Sequence, residues 1–271
     1  MTTVAVAMAE IVREGTWALR ALGYPYGTAE RAANMLAWTE AVHGSGLTML
    51  RLGEAAIIAG AARTPPRWTR DAQGARRADA GGKCLFECGP PALDLATADA
   101  RLADARLDGG LGRAVLRGAI GTRLSGALGA MAARRGLAAI VVHAPGAAEI
   151  APVSPAGWIC ALPTPDGPAF LADSLDNPLP EMLPAKLQVA AADIAEAQAA
   201  GDEGFFGLTV LATPLMPPPP GAIDWPQRLA LAYRTGSQAD PADLQSLYDL
   251  EMRTWAPTSE RSRAQAGFGR Y

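Results

Sequence analysis

The sequence predicts a mixed α/β fold in which an N-terminal helical segment packs on a sheet-containing core. Three observations carry that expectation. Apolar residues in the first sixty positions recur at helical spacing. Residues 137–142 form an unbroken apolar run of strand length. Residues 158–163 and 169–171 flank Thr164, Pro165, Asp166 and Gly167, the pattern of a β-hairpin. With 271 residues, 49% of them hydrophobic and 19% charged, the chain has core enough for one large domain or two modest ones.

Taken in order, Val6, Ile11, Val12, Trp17, Ala18 and Leu22 mark a first helix, stopped by Gly23 and Pro25. Gly27 or Thr28 caps a second, whose apolar face is Ala32, Ala33, Leu36, Ala37 and Val42. Gly44, Ser45 and Gly46 interrupt it, and a third helix runs over 47–58 to Gly60. Residues 61–82, rich in Arg, Pro and Gly, read as a surface loop, with an active-site flap or anion-binding arm as the alternative. A short strand over 83–87 and a helix over 91–107 follow. Residues 111–135 have helical spacing with many glycines, as one helix or as two joined at Gly121. Beyond the hairpin come a helix over 190–200, a strand over 208–212, an extended Pro217–Pro220 spacer, and helices over 225–233 and 242–255. The chain therefore divides into a helical segment 1–60, the loop 61–82, an α/β core 83–216, and C-terminal helices with an Arg/Ser-rich tail over 217–271. Together these are expected to form one structural unit.

A net charge of −3 gives no overall attraction to nucleic acid, so no nucleic-acid partner is expected. No run approaches ~18 apolar residues, and no basic region precedes an apolar one at the N-terminus, so neither a membrane span nor a signal peptide is read. Cys84, Cys88 and Cys160 are too few for a disulfide framework, and no second cysteine pair completes a metal site. The expectation is a cytoplasmic protein without bound metal. Lys83 and Lys186 are the only lysines among 24 basic residues. That bias suits planar bidentate contacts but also follows from GC-rich coding.

Only two histidines are present, so any histidine-dependent catalysis uses His43 or His143. His43 stands at a glycine-rich helix break, where an imidazole titrating near neutrality suits general acid or base work. Ser45 and Arg51 follow it and could hold a substrate carboxylate; the alternative is a helix cap with a solvent-facing imidazole. His143 ends the apolar strand, at the kind of position where ligands collect in α/β folds, or it is a turn residue. Asp108, Gly109, Gly110, Leu111 and Gly112 look superficially like a phosphate loop, but a helix-starting turn explains them adequately. At the end of the chain Arg253, Arg261, Arg263 and Arg270 gather with Thr254, Thr258, Ser259 and Ser262. Guanidinium forks and hydroxyls suit a carboxylate or phosphate, and a polar segment folded over the surface would look the same.

Two segments carry a resemblance. Glu10–Trp38, with Leu22, Gly23, Tyr24, Pro25 and Tyr26 at its centre, and Arg253–Gly269, with its Pro-Thr-Ser-Glu-Arg-Ser-Arg core, are similar to a bacterial family known as domain of unknown function 3726. That match implies architecture and not chemistry. The stretch from His43 through Ser45 and Gly46 to Arg51 and Leu52 is similar to the Asp-Ser-His-Gly-Val element and following Arg-Leu of the type-2 malate/L-lactate dehydrogenases. Aligning the serines puts Gly46 where that family has its catalytic histidine. Residues 159–163 and 167–173 resemble a later pair of strands in the same enzymes, without their Gly-Thr-Asn-Pro link. This resemblance implies a reduced form of that fold, short of cofactor-binding segments, and NAD or NADP as cofactor.

The expected function is a small-molecule enzyme acting on a carboxylate-bearing metabolite, such as an NAD(P)H-dependent keto or imino acid reductase. His43 or His143 would be its proton donor. Ser45, Arg51, Arg253, Ser259, Arg261 and Arg263 would bind substrate. The competing expectation is a non-catalytic binding protein, or a subunit of a larger enzyme, in which apolar faces near Trp17, Trp38 and Trp255 meet a partner. A homodimer or a hetero-complex subunit would result.

Overall fold

In the computed structural model, which describes residues 2–104 and 110–255, a seven-stranded sheet separates two apolar layers. In chain order the elements are β1 (Val4–Val6), α1 (Met8–Ala21), α2 (Tyr26–His43), α3 (Gly46–Ala61), β2 (Thr69–Arg70), β3 (Arg76–Asp79), α4 (Leu85–Asp104), β4 (Leu111–Arg117), α5 (Ser125–Arg134), β5 (Leu137–Ala144), β6 (Gly157–Thr164), β7 (Gly167–Ser174), α6 (Ala191–Ala199), β8 (Phe205–Ala212), α7 (Trp225–Thr235), β9 (Ser237–Ala239) and α8 (Pro241–Trp255). The large sheet has the order β2-β3-β4-β8-β5-β6-β7, antiparallel throughout except for the parallel β3–β4 pair. β1 and β9 pair separately and tie the N-terminus to the chain before α8.

Alternation along β5 sorts the two layers. Leu137, Ala139 and Val141 face one core with the residues of α1–α5, whereas Ala138, Ile140, Val142 and Ala144 face a second with Leu187, Ile194 and Ala197 around α6. A strand buried on both faces reads as a continuous apolar run, which is why β5 was visible in the sequence.

The mixed α/β architecture is as expected, with N-terminal helices on a sheet-containing core. Several elements differ from the sequence reading. Residues 111–117 are not helical: they form β4, held between β3 and β8, so partners distant in sequence override local spacing. Gly112 is needed there because a Cβ would stand 1.8 Å from the carbonyl oxygen of Ala96 on α4. The apparent phosphate loop thus leads into a strand and not into a helix; Asp108 and Gly109 lie outside the described residues. The expected strand at 83–87 reduces to one bridge between Cys84 and Ile120, and α4 starts at Leu85 with Pro90 and Pro91 inside it. Those prolines disguised the helix start.

Residues 61–82 contain β2 and β3. Their arginines are engaged: Arg70 and Arg76 bind Asp99, and Arg77 spans Asp71 and Glu196. Val6 lies in β1, and the first helix begins at Met8. No helix of the described residues is long and apolar enough to cross a membrane. Cys84, Cys88 and Cys160 are free and buried, and burial raises all three thiols, Cys88 and Cys160 to about 12.

Candidate active site

Sheet topology creates the site. β4 and β5 both run antiparallel to β8, so their C-terminal ends share one edge of the sheet, together with the start of β6 and the end of β7. The turn after β4 brings Thr122 and Arg123 to that edge, and β5 brings His143. The β5–β6 connection brings Ser154 and Pro155, and the C-terminus of α2 lowers His43 onto them. All of these residues line one cleft of about 270 Å³, which Trp225 at the start of α7 also walls.

The α2–α3 corner is tightly specified. α2 ends at His43, and Gly44 takes φ +62 while donating its N–H to the Glu40 carbonyl at 2.8 Å. Glu40 Oε2 accepts the Leu47 N–H at 2.9 Å. A Cβ at Gly46 would lie 2.1 Å from the Leu36 carbonyl oxygen. No side chain fits at Gly46, the position that the dehydrogenase resemblance assigns to a histidine.

His143 is 6% exposed, and its Nε2 lies 3.1 Å from the Pro155 carbonyl. A carbonyl only accepts, so Nε2 carries the hydrogen and Nδ1 presents a lone pair. That Nδ1 is buried without a partner, as is Thr122 Oγ1. Burial, reinforced by the Arg123 charge and opposed by the Pro155 carbonyl, lowers His143 to about 4. Burial, then Arg123, Arg228 and His143, likewise lowers His43 to about 4. Both imidazoles are therefore neutral at pH 7. The His43 ring meets Trp225 edge-on at 5.0 Å and Trp38 at 5.8 Å, so aromatic faces fix its plane.

Between the histidines lies Arg123. Its Nε donates to Ser45 Oγ at 3.1 Å and its Nη1 to Ser154 Oγ at 3.4 Å. Among the described residues no carboxylate pairs with it. Arg51, Arg70, Arg76, Arg77, Arg113, Arg117, Arg135, Arg228 and Arg253, in contrast, each hold one. Burial is the one influence that lowers Arg123 from its ordinary value, and a guanidinium stays protonated regardless. A partly desolvated cation held by two hydroxyls is a receptor for an anion.

The structure brings His43, His143 and Ser45 together. It places Arg51 and Arg253 elsewhere: Arg51 pairs with Asp243 at 2.5 Å and Arg253 with Glu54 at 2.6 Å, two ties between α3 and α8. Ser259, Arg261 and Arg263 lie outside the described residues. Arg123, Thr122, Ser154 and Trp225 were not found from the sequence. The available signal was the run Gly121, Thr122, Arg123, Leu124, Ser125 and Gly126, which becomes a strand-to-helix turn once 111–117 is a strand.

The cleft is small. Its volume of about 270 Å³ falls below the ~300–1,000 Å³ of pockets that hold drug-sized ligands. Among the described residues Arg123 is the one cation lining it.

The fold is that of malate/lactate dehydrogenase-like proteins. A dehydrogenase from Sinorhizobium meliloti superposes with a TM-score of 0.69 at 18% identity, covering 92% of this chain and 100% of that one. Malate dehydrogenase from Pyrococcus horikoshii gives 0.63 at 13% identity over 93% and 95% of the two chains. The delta1-piperideine-2-carboxylate reductase of Pseudomonas syringae gives 0.60 at 14% identity over 92% and 100%. These identities establish a shared fold and nothing finer. No family model and no curated protein matches the sequence, so the similarity to the family of unknown function gains no support.

Proposed function

We propose that this chain is a small-molecule enzyme that takes a carboxylate-bearing metabolite in the cleft between His43 and His143. The observation that carries the proposal is Arg123, a partly buried guanidinium that has no acidic partner among the described residues and lines the same cleft as two neutral imidazoles. The carboxylate sits on Arg123, with Ser45 and Ser154 fixing the fork. His143 Nδ1 accepts a hydrogen bond from a substrate hydroxyl or amine, and His43 lies across the cleft as the second proton-handling group. The structural neighbours, which include dehydrogenases and a delta1-piperideine-2-carboxylate reductase, support keto or imino acids as the substrate class. Reduction by NADH or NADPH is the narrower form of this reading. The cleft's small volume argues against it. Free buried thiols suit a cytoplasmic setting.

Calorimetric titration with a panel of 2-oxo acids, NADH and NADPH tests the proposal. A 2-oxo acid should bind, and Arg123→Gln should weaken it by about tenfold or more, since charge-assisted hydrogen bonds are roughly twice as strong as neutral ones. Failure of every acid to bind would end the carboxylate reading.

A binding-subunit role has one observation in its favour. A groove of about 590 Å³ between α1, α2, α5 and α7 is lined by Met8, Trp17, Tyr26, Trp38 and Tyr233, and Tyr233 is 68% exposed. A homodimer or hetero-complex would cover it. Light scattering that shows a monomer at micromolar concentration would remove the homodimer.

A further inference from the structure

We infer that Glu149 is the positioning residue that locks the Arg123 turn to the loop bearing Ser154 and Pro155, and so holds the carboxylate receptor in its binding geometry. The inference rests on the carboxylate reading of the cleft. Arg123 sits in the turn between β4 and α5, whereas Ser154 and the Pro155 carbonyl sit in the β5–β6 connection. Neither segment is part of a long helix or strand, so sheet hydrogen bonds do not fix one relative to the other.

Glu149 supplies the connection. Its Oε1 accepts the N–H of Gly121 at 2.5 Å, of Thr122 at 3.1 Å and of Ile150 at 3.0 Å. Gly121 adopts φ +78, which turns successive N–H groups toward one side, a backbone arrangement suited to an anionic oxygen. The adjoining Ile150 packs against α3 so closely that a Cβ on Gly53 would lie 2.7 Å from Ile150 Cγ2. α3 begins directly after Ser45, the other hydroxyl on Arg123. One carboxylate thereby ties the Arg123 turn, the Ser154 loop and the Ser45 helix together. Glu149 does not line the cleft, so it acts through these neighbours and not on substrate.

The test compares Glu149→Gln, Glu149→Asp and Glu149→Ala in the full chain, by calorimetry with the 2-oxo acid that binds wild type best and by NMR of the Arg123 side-chain Nε–H. Gln retains an oxygen that can accept the same N–H groups, and should keep affinity within about threefold of wild type. Asp withdraws the oxygen by one methylene and Ala removes it. Each should weaken binding by about tenfold or more, because small misplacements of a binding group carry costs of that order. Both should also increase solvent exchange of the Arg123 Nε–H. Gln rescue separates positioning from a general loss of stability. Wild-type affinity in both Asp and Ala variants would overturn the inference. If the Ala variant does not fold, the Asp and Gln pair decides by the same criterion. If wild type binds no acid, the carboxylate reading fails instead; the Arg123 Nε–H exchange comparison then still tests whether Glu149 holds the turn, and unchanged exchange overturns it.

Discussion

Replacing His143 with Gln should flatten the acid sensitivity of this fold by an amount the structure fixes. Gln can still donate to the Pro155 carbonyl but does not titrate. In the wild type the folded imidazole is lowered from 6.5 to about 4, because burial disfavours the charged ring and, as a smaller cause, protonation would place a second cation beside Arg123. Between those values the unfolded chain binds the proton and the folded chain does not, so stability falls as pH drops from 6.5 toward 4 and is fully present above 6.5. At roughly 1.4 kcal/mol per pH unit the whole window is worth about 3 kcal/mol, of which about 2 kcal/mol is already lost at pH 5. His43 adds a change of the same sign. The raised carboxyls of Glu40, Glu149 and Asp193 act oppositely, since their folded forms bind protons more readily. Neither contribution differs between wild type and His143→Gln to first order, so the double difference isolates His143. Urea unfolding at pH 7.5 and pH 5, followed by fluorescence and circular dichroism together, measures it. If His143→Gln loses as much stability over that interval as wild type, within about 0.5 kcal/mol, the buried neutral imidazole is wrong.

Two substitutions probe the corners of the site. Gly46→His would install the side chain that the dehydrogenase resemblance lacks, but its Cβ would stand 2.1 Å from backbone. It should cost about 3 kcal/mol and lower Tm by about 6–12 °C, and a thermal scan showing a shift under about 2 °C would contradict the packing. Arg51→Met would leave Asp243, 4% exposed, without its guanidinium. Stability should fall by about 1–3 kcal/mol in urea unfolding while 2-oxo acid affinity stays the same; a large loss of affinity would return Arg51 to the binding site.

What the sequence disclosed follows the range of the forces involved. α2, α3, α7 and α8 show their own periodicity and end signals, and the β6–β7 hairpin is written in its Pro165-Asp166-Gly167 turn. β4 was hidden because it is a strand by virtue of β3 and β8, segments distant in sequence that no local window contains. β3 was hidden because its arginines look like loop residues until Asp99, Asp71 and Glu196 are seen to neutralise them. The site divides in the same way. His43 and His143 stand out as candidates in the sequence because the chain has no other histidines. Arg123 carries no such mark, because what distinguishes it from Arg51 or Arg253 is the lack of an acid partner among the described residues, and the pairing of an arginine is a property of the folded chain alone.

That difference also determines how far the shared fold informs the chemistry. At 11–18% identity the scaffold is common to this chain and the dehydrogenases, but the corner where the resemblance seeks a histidine is sealed at Gly46. Ser45, the one hydroxyl carried over there, is spent on holding Arg123. The cleft must then work with imidazoles that are neutral until something changes their surroundings. Arg123 contributes to lowering both histidines. On the proposed reading, an anion on that guanidinium would offset this smaller contribution and shift both imidazoles upward, while burial, the larger cause, remains. On the proposed reading, ligand binding and proton supply would be coupled through Arg123. Arg123→Gln would then remove the anchor and, burial being the larger cause, only the smaller part of what lowers the two imidazoles.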